Sequence, residues 1–448
     1  MLKILKASTA ILVLCVAGTA QADTLEEALA KAYQSSPRLQ ARQALLRSID
    51  EQVAQANAGW RPTLNGSATA QRAFQTPLAG TGAGVTHPRN LGVQLTQPLL
   101  RLQTYPEIKA AKRAVDSARA DLVSQEQQLL LDAVSAYVNV LRDEAVVNLQ
   151  KSNEQVLQKQ LDATRDRFRV GEITRTDVSQ AESRLAAATA DRIQADGTLQ
   201  SSRANYVRVV GDEPKELKKP DAKLALPLNL GEATAVAEGA NPDVLAAQAA
   251  FEQSDQQVDT ALAQLLPKID LIGSANRGYN VSAALPDKTD SYAIGVSVTI
   301  PLYQGGADYA RTRQAKQTRS QRQLELEETR RRAHEAVVQA WQQYQAALAA
   351  IESRVSAVKS NEIALKGTRQ EARVGTRTTL DVLNAEQEFL TAQVNLVRAE
   401  HDAVVASYQI LVAVGKLTAS ELKLPVNLYD PQKHYDDVAG KWIGIGSE

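Results

Sequence analysis

Apolar and polar residues alternate with a period of two in four short segments of this chain, the pattern of strands with two different faces. Between 291 and 300, Tyr292, Ile294, Val296, Val298 and Ile300 alternate with Ser291, Ala293, Gly295, Ser297 and Thr299. Between 90 and 97, Leu91, Val93 and Leu95 alternate with Asn90, Gln94 and Thr96, and segments 63–75 and 268–280 follow the same rule more weakly. Pro62, Pro98, Pro267 and Pro301 bracket the four, as expected at strand ends, where a missing N–H is tolerated. Each segment matches the roughly 9 to 11 residues that a tilted membrane strand needs. The connections Thr76 to Arg89 and Val281 to Thr289 read as loops. Arg72 and Arg277 fall on the apolar face near those loops, where a long stem can carry its charge to the headgroup zone, the alternative being specific binding of lipid.

Elsewhere the period is helical. Residues 107–168 and 308–371 lack an internal proline, and at about 1.5 Å per residue each predicts a helix of roughly 90 Å. In the helix that returns after the second, Val382, Phe389, Leu396, Ala403 and Ile410 recur every seven residues, alongside Ala385, Ala392, Ala399, Ala406 and Ala413. The first half has Val178, Leu185, Arg192, Leu199 and Tyr206 with Ala181, Ala188, Ala195, Ser202 and Val209. A heptad seam with alanine at one position predicts closely approaching, coiled helices. The returning helices would be only about 50 Å long. Medium helices at 37–59 and 242–265, stacked end to end on them, would supply the missing length and give four helical rods per chain.

The two halves repeat one plan with an offset near 205 residues. Leu25-Glu26-Glu27-Ala28 through Pro37 returns as Leu230-Gly231-Glu232-Ala233 through Pro242, and Arg61-Pro62-Thr63-Leu64 as Leu266-Pro267-Lys268-Ile269. Gly92 through Leu99 returns as Gly295 through Leu302. Arg169-Val170-Gly171 with Thr174, Asp177, Val178 and Glu182 matches Arg373-Val374-Gly375 with Thr378, Asp381, Val382 and Glu386. The division expected is a leader at 1–22, a first repeat at 23–229 with a long hairpin at 107–210, a second repeat at 230–417 with a hairpin at 308–415, and a tail at 418–448. The fold class is mainly α with membrane β. Four strands leave open edges that lipid does not tolerate, so the chain must oligomerise. Two chains would give eight strands and a filled interior, whereas three give twelve and room for a passage.

Composition narrows the function. Lys3 and Lys6, an apolar run from Ala10 to Ala17 and Ala20-Gln21-Ala22 have the order of a secretory leader. The single cysteine, Cys15, lies inside it, so an exported mature chain would carry no disulfide or thiol chemistry. The whole chain balances 51 Lys and Arg against 51 Asp and Glu, which gives no reason to expect nucleic acid as a partner. After Ala22 no stretch approaches the roughly 20 apolar residues of a spanning helix. His87, His334, His401 and His434 contain no pair at helical metal spacing, and Gly80 to Gly84 lacks the Lys and Ser/Thr of a phosphate loop. No nucleophile motif or cofactor motif is present, so no enzyme is expected.

The paired signatures at Arg169-Val170-Gly171, Thr174, Asp177-Val178 and at Arg373-Val374-Gly375, Thr378, Asp381-Val382, set in the duplicated plan, resemble the TolC family of outer-membrane channels over essentially the whole mature length. The resemblance implies a homotrimer with a twelve-stranded barrel in outer-membrane lipid and a twelve-helix barrel across the periplasm. It also implies an equatorial domain from residues 212–230 and the tail after Leu417. The helical tips, with Val170, Gly171, Thr174, Val374, Gly375 and Thr378, would dock a periplasmic adaptor, or membrane fusion protein, coupled to an inner-membrane ABC or proton-driven pump. Asp177, Arg377 and Asp381 fall on the family's gate positions, whereas the residues alone read equally as ordinary helix-start chemistry, since acids favour the first turn of a helix. Ala372 stands where its best-known member has a gate tyrosine, and Asn384 where it has a second acidic ring. The tail, with Tyr429-Asp430-Pro431, His434-Tyr435 and Lys441-Trp442, looks like members paired with type I protein secretion. Members serving multidrug efflux share the remaining features. The rival reading, a periplasmic structural coiled-coil protein, leaves the four strands unexplained.

Overall fold

A computed structural model describes residues 24–75, 84–220, 224–280 and 287–446. The expected leader and most of the Gly80 to Gly84 loop lie outside the described residues. The chain divides into two compact units, described in turn.

One unit comprises the described residues of Met1–Ser35, Ala133–Lys223 and Ser353–His401. It contains α1 (Leu25–Ser35), the distal part of α3 (Thr104–Arg169), α4 (Arg175–Val210), the distal part of α7 (Ala307–Arg373) and most of α8 (Thr379–Ala413). The two long helices run to 66 and 67 residues, about 100 Å each. Helix α4 starts with a capping box in which Thr174 Oγ1 accepts from Asp177 N–H and the Asp177 carboxylate accepts from Thr174 N–H. It ends at Gly211, with φ 89°. The seam is closed by small residues: Ala181, Ala188, Ala392 and Ala399 are buried, and Leu157 of α3 meets Ala188 and Leu383. Arg192, which the heptad pattern places among apolar residues, is resolved by chemistry. Its Nε donates to Glu154 Oε2 at 2.7 Å, and Thr189 Oγ1 donates to Glu154 Oε1 at 2.7 Å.

The second unit comprises Ser36–Asp132, Leu224–Glu352 and Asp402–Glu448. It holds α2 (Pro37–Asn57), β1 (Thr63–Ala70), β2 (Ala73–Gln75), β3 (Gly84–Thr86), β4 (Arg89–Leu100), α5 (Leu230–Ala240), α6 (Pro242–Ala263), β5 (Lys268–Tyr279), β6 (Lys288–Thr299) and α9 (Lys433–Val438). The main sheet is antiparallel in the order β1-β4-β5-β6. Its register puts Leu64, Leu95, Gly273 and Ile294 in one row and Asn65, Gln94, Ser274 and Ala293 in the next, so one face is apolar and the other polar.

Two strand expectations change. Segment 63–75 breaks after Ala70, where Gln71 N–H turns to Pro88 O at 2.9 Å, and β2 pairs with β3 in a ribbon of its own. Arg72 lies in that break, with its guanidinium 5.3 Å from the Phe74 ring. Arg277 stays on β5 and is held by Asp290 of β6 at 2.7 Å, so its charge is met within the sheet. Pro98 sits inside β4 rather than at its end. It lies beyond the last β1 pair, Thr63 with Thr96, and at a register shift against β5, so its missing donor interrupts no regular ladder.

Helix α6 continues from α8 through one side chain. Asn241 caps α6 by accepting from Asp243 N–H and Val244 N–H, while its Nδ2 donates to Ala413 O at 3.1 Å. One asparagine thus satisfies both a starting donor pair and a terminal carbonyl. Around this joint Ala233, Ala237, Val337, Ala340, Ile410 and Val414 form a buried cluster with Trp341 and Tyr344 packed on it. The tail packs in the same unit: buried Asp50 of α2 meets His434 Nδ1 at 3.1 Å, and Arg119 lies 5.1 Å from the Tyr435 ring. Burial pushes the Asp50 carboxyl above the usual range, against the pull of His434 and Arg119.

Candidate functional site

The tips of the two helical hairpins are built alike. At the first, Gly171 N–H bonds Phe168 O and Glu172 N–H bonds Arg167 O; at the second, Gly375 N–H bonds Ala372 O and Thr376 N–H bonds Glu371 O. These are Schellman closures, and each needs a left-handed residue, supplied by glycine at φ 78° and 82°. The residue before each glycine protrudes: Val170 is 78% exposed and Val374 is 76% exposed. Two threonines then start the returning helices. Thr378 Oγ1 accepts from Asp381 N–H at 3.2 Å, and the Asp381 carboxylate accepts from Thr378 N–H at 2.9 Å, a second capping box matching Thr174 and Asp177.

Electrostatics follow from these bonds. The Thr174 hydroxyl and N–H hold the Asp177 carboxyl below the usual range; the Thr378 N–H and hydroxyl do the same for Asp381. Both are ionised at neutral pH. Arg377 Nε donates to Glu371 Oε2 at 2.9 Å, which raises the guanidinium pKa further. Within one chain, therefore, Arg377 is engaged in its own turn and not with Asp177. Asn384 accepts from Arg184 Nη2 at 2.9 Å, a link between α4 and α8.

Sequence reasoning missed Arg184, Glu371 and two related clamps. Arg165 pairs with Glu182 at 2.7 Å, and Arg369 pairs with Glu386. Each spans 17 residues across its hairpin, at the same place in the two repeats. The duplication carried that signal, since both residues recur at an offset of 204.

The described residues contain no helix long and apolar enough to cross a membrane and no group of three His, Cys, Asp or Glu that could hold a metal ion. The sheet is another matter: Tyr292, Ile294, Val296 and Val298 lie exposed along one face of β6. An antiparallel sheet with an exposed apolar face, in a chain that also carries helices of about 100 Å, defines a component of a membrane β-barrel with a large helical part.

The comparisons agree. A model of the family described as "Outer membrane efflux protein" matches residues 28–212 and 235–416. The outer membrane efflux protein BepC of Brucella suis biovar 1 is 36% identical over 427 residues, 95% of this chain and 92% of the relative. The outer membrane protein TolC of Vibrio cholerae serotype O1 is 26% identical over 415 residues, 90% of this chain and 92% of that one. In fold, the CmeC outer membrane channel of Campylobacter jejuni superposes with a TM-score of 0.80 at 15% identity, covering 93% of this chain and 89% of the other. The chain belongs to the outer membrane efflux protein family. It is an outer-membrane channel with a helical tunnel in the periplasm, and not an enzyme.

Proposed function

We propose that this chain is the exit duct of a tripartite export system, working as a trimer that receives cargo from a periplasmic adaptor and an inner-membrane ABC or proton-driven pump. The observation that carries the reading is the open sheet: among the described residues β1 and β6 end it without strand partners, while its exposed apolar face suits lipid. Pairing β6 of one copy with β1 of the next closes a barrel. The polar face, with Asn65, Gln94, Ser274 and Ser297, would then line the passage.

The tips serve two roles in this reading. Val170-Gly171 and Val374-Gly375 present an apolar knob beside exposed backbone, a shape suited to an adaptor hairpin, with Thr174 and Thr378 fixing where the returning helices begin. The acids behind them, Asp177 and Asp381, stand at the entrance. Three copies of Asp381 around a threefold axis would make a carboxylate ring, and Asn384 adds no second one.

For cargo, the tail resemblance supports a secreted polypeptide. Efflux is the second reading, since the relative BepC is named an outer membrane efflux protein. Deleting the gene and assaying both the culture medium and drug susceptibility separates them. Loss of secreted protein with unchanged susceptibility supports secretion; hypersensitivity with normal secretion supports efflux. No change in either would overturn the export reading.

A further inference from the structure

At the foot of the main sheet the end of the chain carries an exposed apolar tip. Its position is fixed by α2 and the turn that follows it. Asn57 Nδ2 donates to Ala439 O at 2.9 Å, and the Arg61 guanidinium donates to Lys441 O at 2.6 Å and Gly440 O at 3.3 Å. The same guanidinium lies 4.8 Å from the centroid of the Trp442 ring. Arg61 is two residues before the start of β1, so these bonds place residues 439–442 at the level where the membrane sheet begins. Past this tether Trp442 is 67% exposed, Ile443 91% and Ile445 106%.

Leaving such a cluster in water is costly, since taking apolar area out of water is favourable. Its surroundings indicate what covers it. The tip adjoins the foot of a sheet whose apolar face meets lipid, and it combines a tryptophan and two isoleucines with the cations Arg61 and Lys441, the composition of an interfacial contact. Exposed Leu302 and Tyr303, just after β6, and half-exposed Trp60, just before β1, continue the same boundary.

We propose that residues 441–445 form an interfacial anchor, with Trp442, Ile443 and Ile445 seated in the headgroup and upper acyl zone of the periplasmic leaflet of the outer membrane. The tail then ties α2 and α9 to the bilayer at the level of the barrel rim. The inference rests on the outer-membrane location and not on the nature of the cargo.

The sequence has three tryptophans, Trp60, Trp341 and Trp442. Replacing Trp60 and Trp341 by Phe leaves Trp442 as the sole reporter in full-length protein reconstituted in nanodiscs of brominated phosphatidylcholine. The expected result is blue-shifted emission that bromines near the glycerol end quench more strongly than bromines near the chain end. The double change Ile443→Asp, Ile445→Asp should abolish that quenching while the oligomer persists on unheated gels. Red-shifted, unquenched emission would place the tip in water and overturn the proposal. Blue-shifted emission that no brominated lipid quenches would assign the tip to a second copy of the chain, and overturn it equally. Should the Phe substitutions prevent assembly, a spin label on Ile443→Cys answers the same question: the anchor requires greater accessibility to oxygen than to a water-soluble nickel complex, and the reverse order overturns it.

Discussion

At the scale of single residues, chemically similar positions differ in what surrounds them. Gly375 and Gly415 both have positive φ, at 82° and 79°. An added Cβ at Gly375 meets nothing within 4 Å, whereas at Gly415 it runs into Ala240 O and lies 3.0 Å from Asn241 Cα. Gly375→Ala should therefore cost only the left-handed strain, about 1–2 kcal/mol, confined to the tip. Gly415→Ala must in addition displace the backbone of the joint that Asn241 caps, so it should lower the melting temperature of the purified protein by clearly more. Equal effects would mean that the joint yields. The entrance allows a second test. Asp381→Asn removes a charge but leaves an acceptor for Thr378 N–H, separating electrostatics from capping. It is expected to relieve block by trivalent cations in planar bilayers, and the parent's block should weaken as salt rises. Arg377→Ser, which also frees Glu371, is expected to raise single-channel conductance. If neither property changes, the two residues serve only to start and close a helix turn.

At the scale of elements, polar pairs inside otherwise apolar seams decide how helices register. Arg192 and Glu154 join α4 to α3 with side chains about a quarter exposed, at 27% and 25%. Arg192→Ala leaves Glu154 half-buried with fewer donors, and a charge-assisted bond of this kind contributes about 1.5–3 kcal/mol. Arg192→Leu combined with Glu154→Leu should recover most of that loss in a denaturant or thermal double-mutant cycle, because the seam is apolar on either side. Asp50 gives a pH-dependent case. Its folded pKa is raised, so ionisation is penalised in the folded state, and the penalty disappears as pH falls through that raised value towards 3.8. Asp50→Asn keeps a partner for His434 without the ionisable group. The stability difference, variant minus parent, should accordingly shrink as pH is lowered across this window, as read from paired melting curves. A difference that grows instead would mean that the attraction to His434 and Arg119 outweighs burial.

For the whole molecule, the strand order leaves β1 and β6 as the two edges of the main sheet. Cys15, the one cysteine of the sequence, falls in the expected leader, so engineered cysteines would report without background. Ser67→Cys on β1 should form an intermolecular disulfide with a cysteine placed at one of Ser291, Ala293, Gly295 or Ser297 on the polar face of β6, where the barrel stagger brings them level. The expected product is a ladder ending at three chains on denaturing gels. A ladder ending at two, or no crosslink at any of the four positions, would contradict closure by three copies.

What depends on residues a few positions apart can be read from the chain alone. The alternation in β6, the heptads of α4 and α8, the paired glycine turns and the two capping boxes are local geometry, written in spacing and repeated in both halves. The tip architecture was legible for that reason. The partners are set by long-range packing. Glu154 meets Arg192 across 38 positions, Asn384 meets Arg184 across 200, and Asp50 meets His434 across 384. Likewise Pro98 sits within β4 beyond the last β1 pair, and segment 63–75 breaks where Gln71 N–H meets Pro88 O. Periodicity fixes which face a side chain takes. Which charge or carbonyl stands opposite is set by how distant segments pack, and that packing is the sum of many weak contacts that no short stretch of sequence contains.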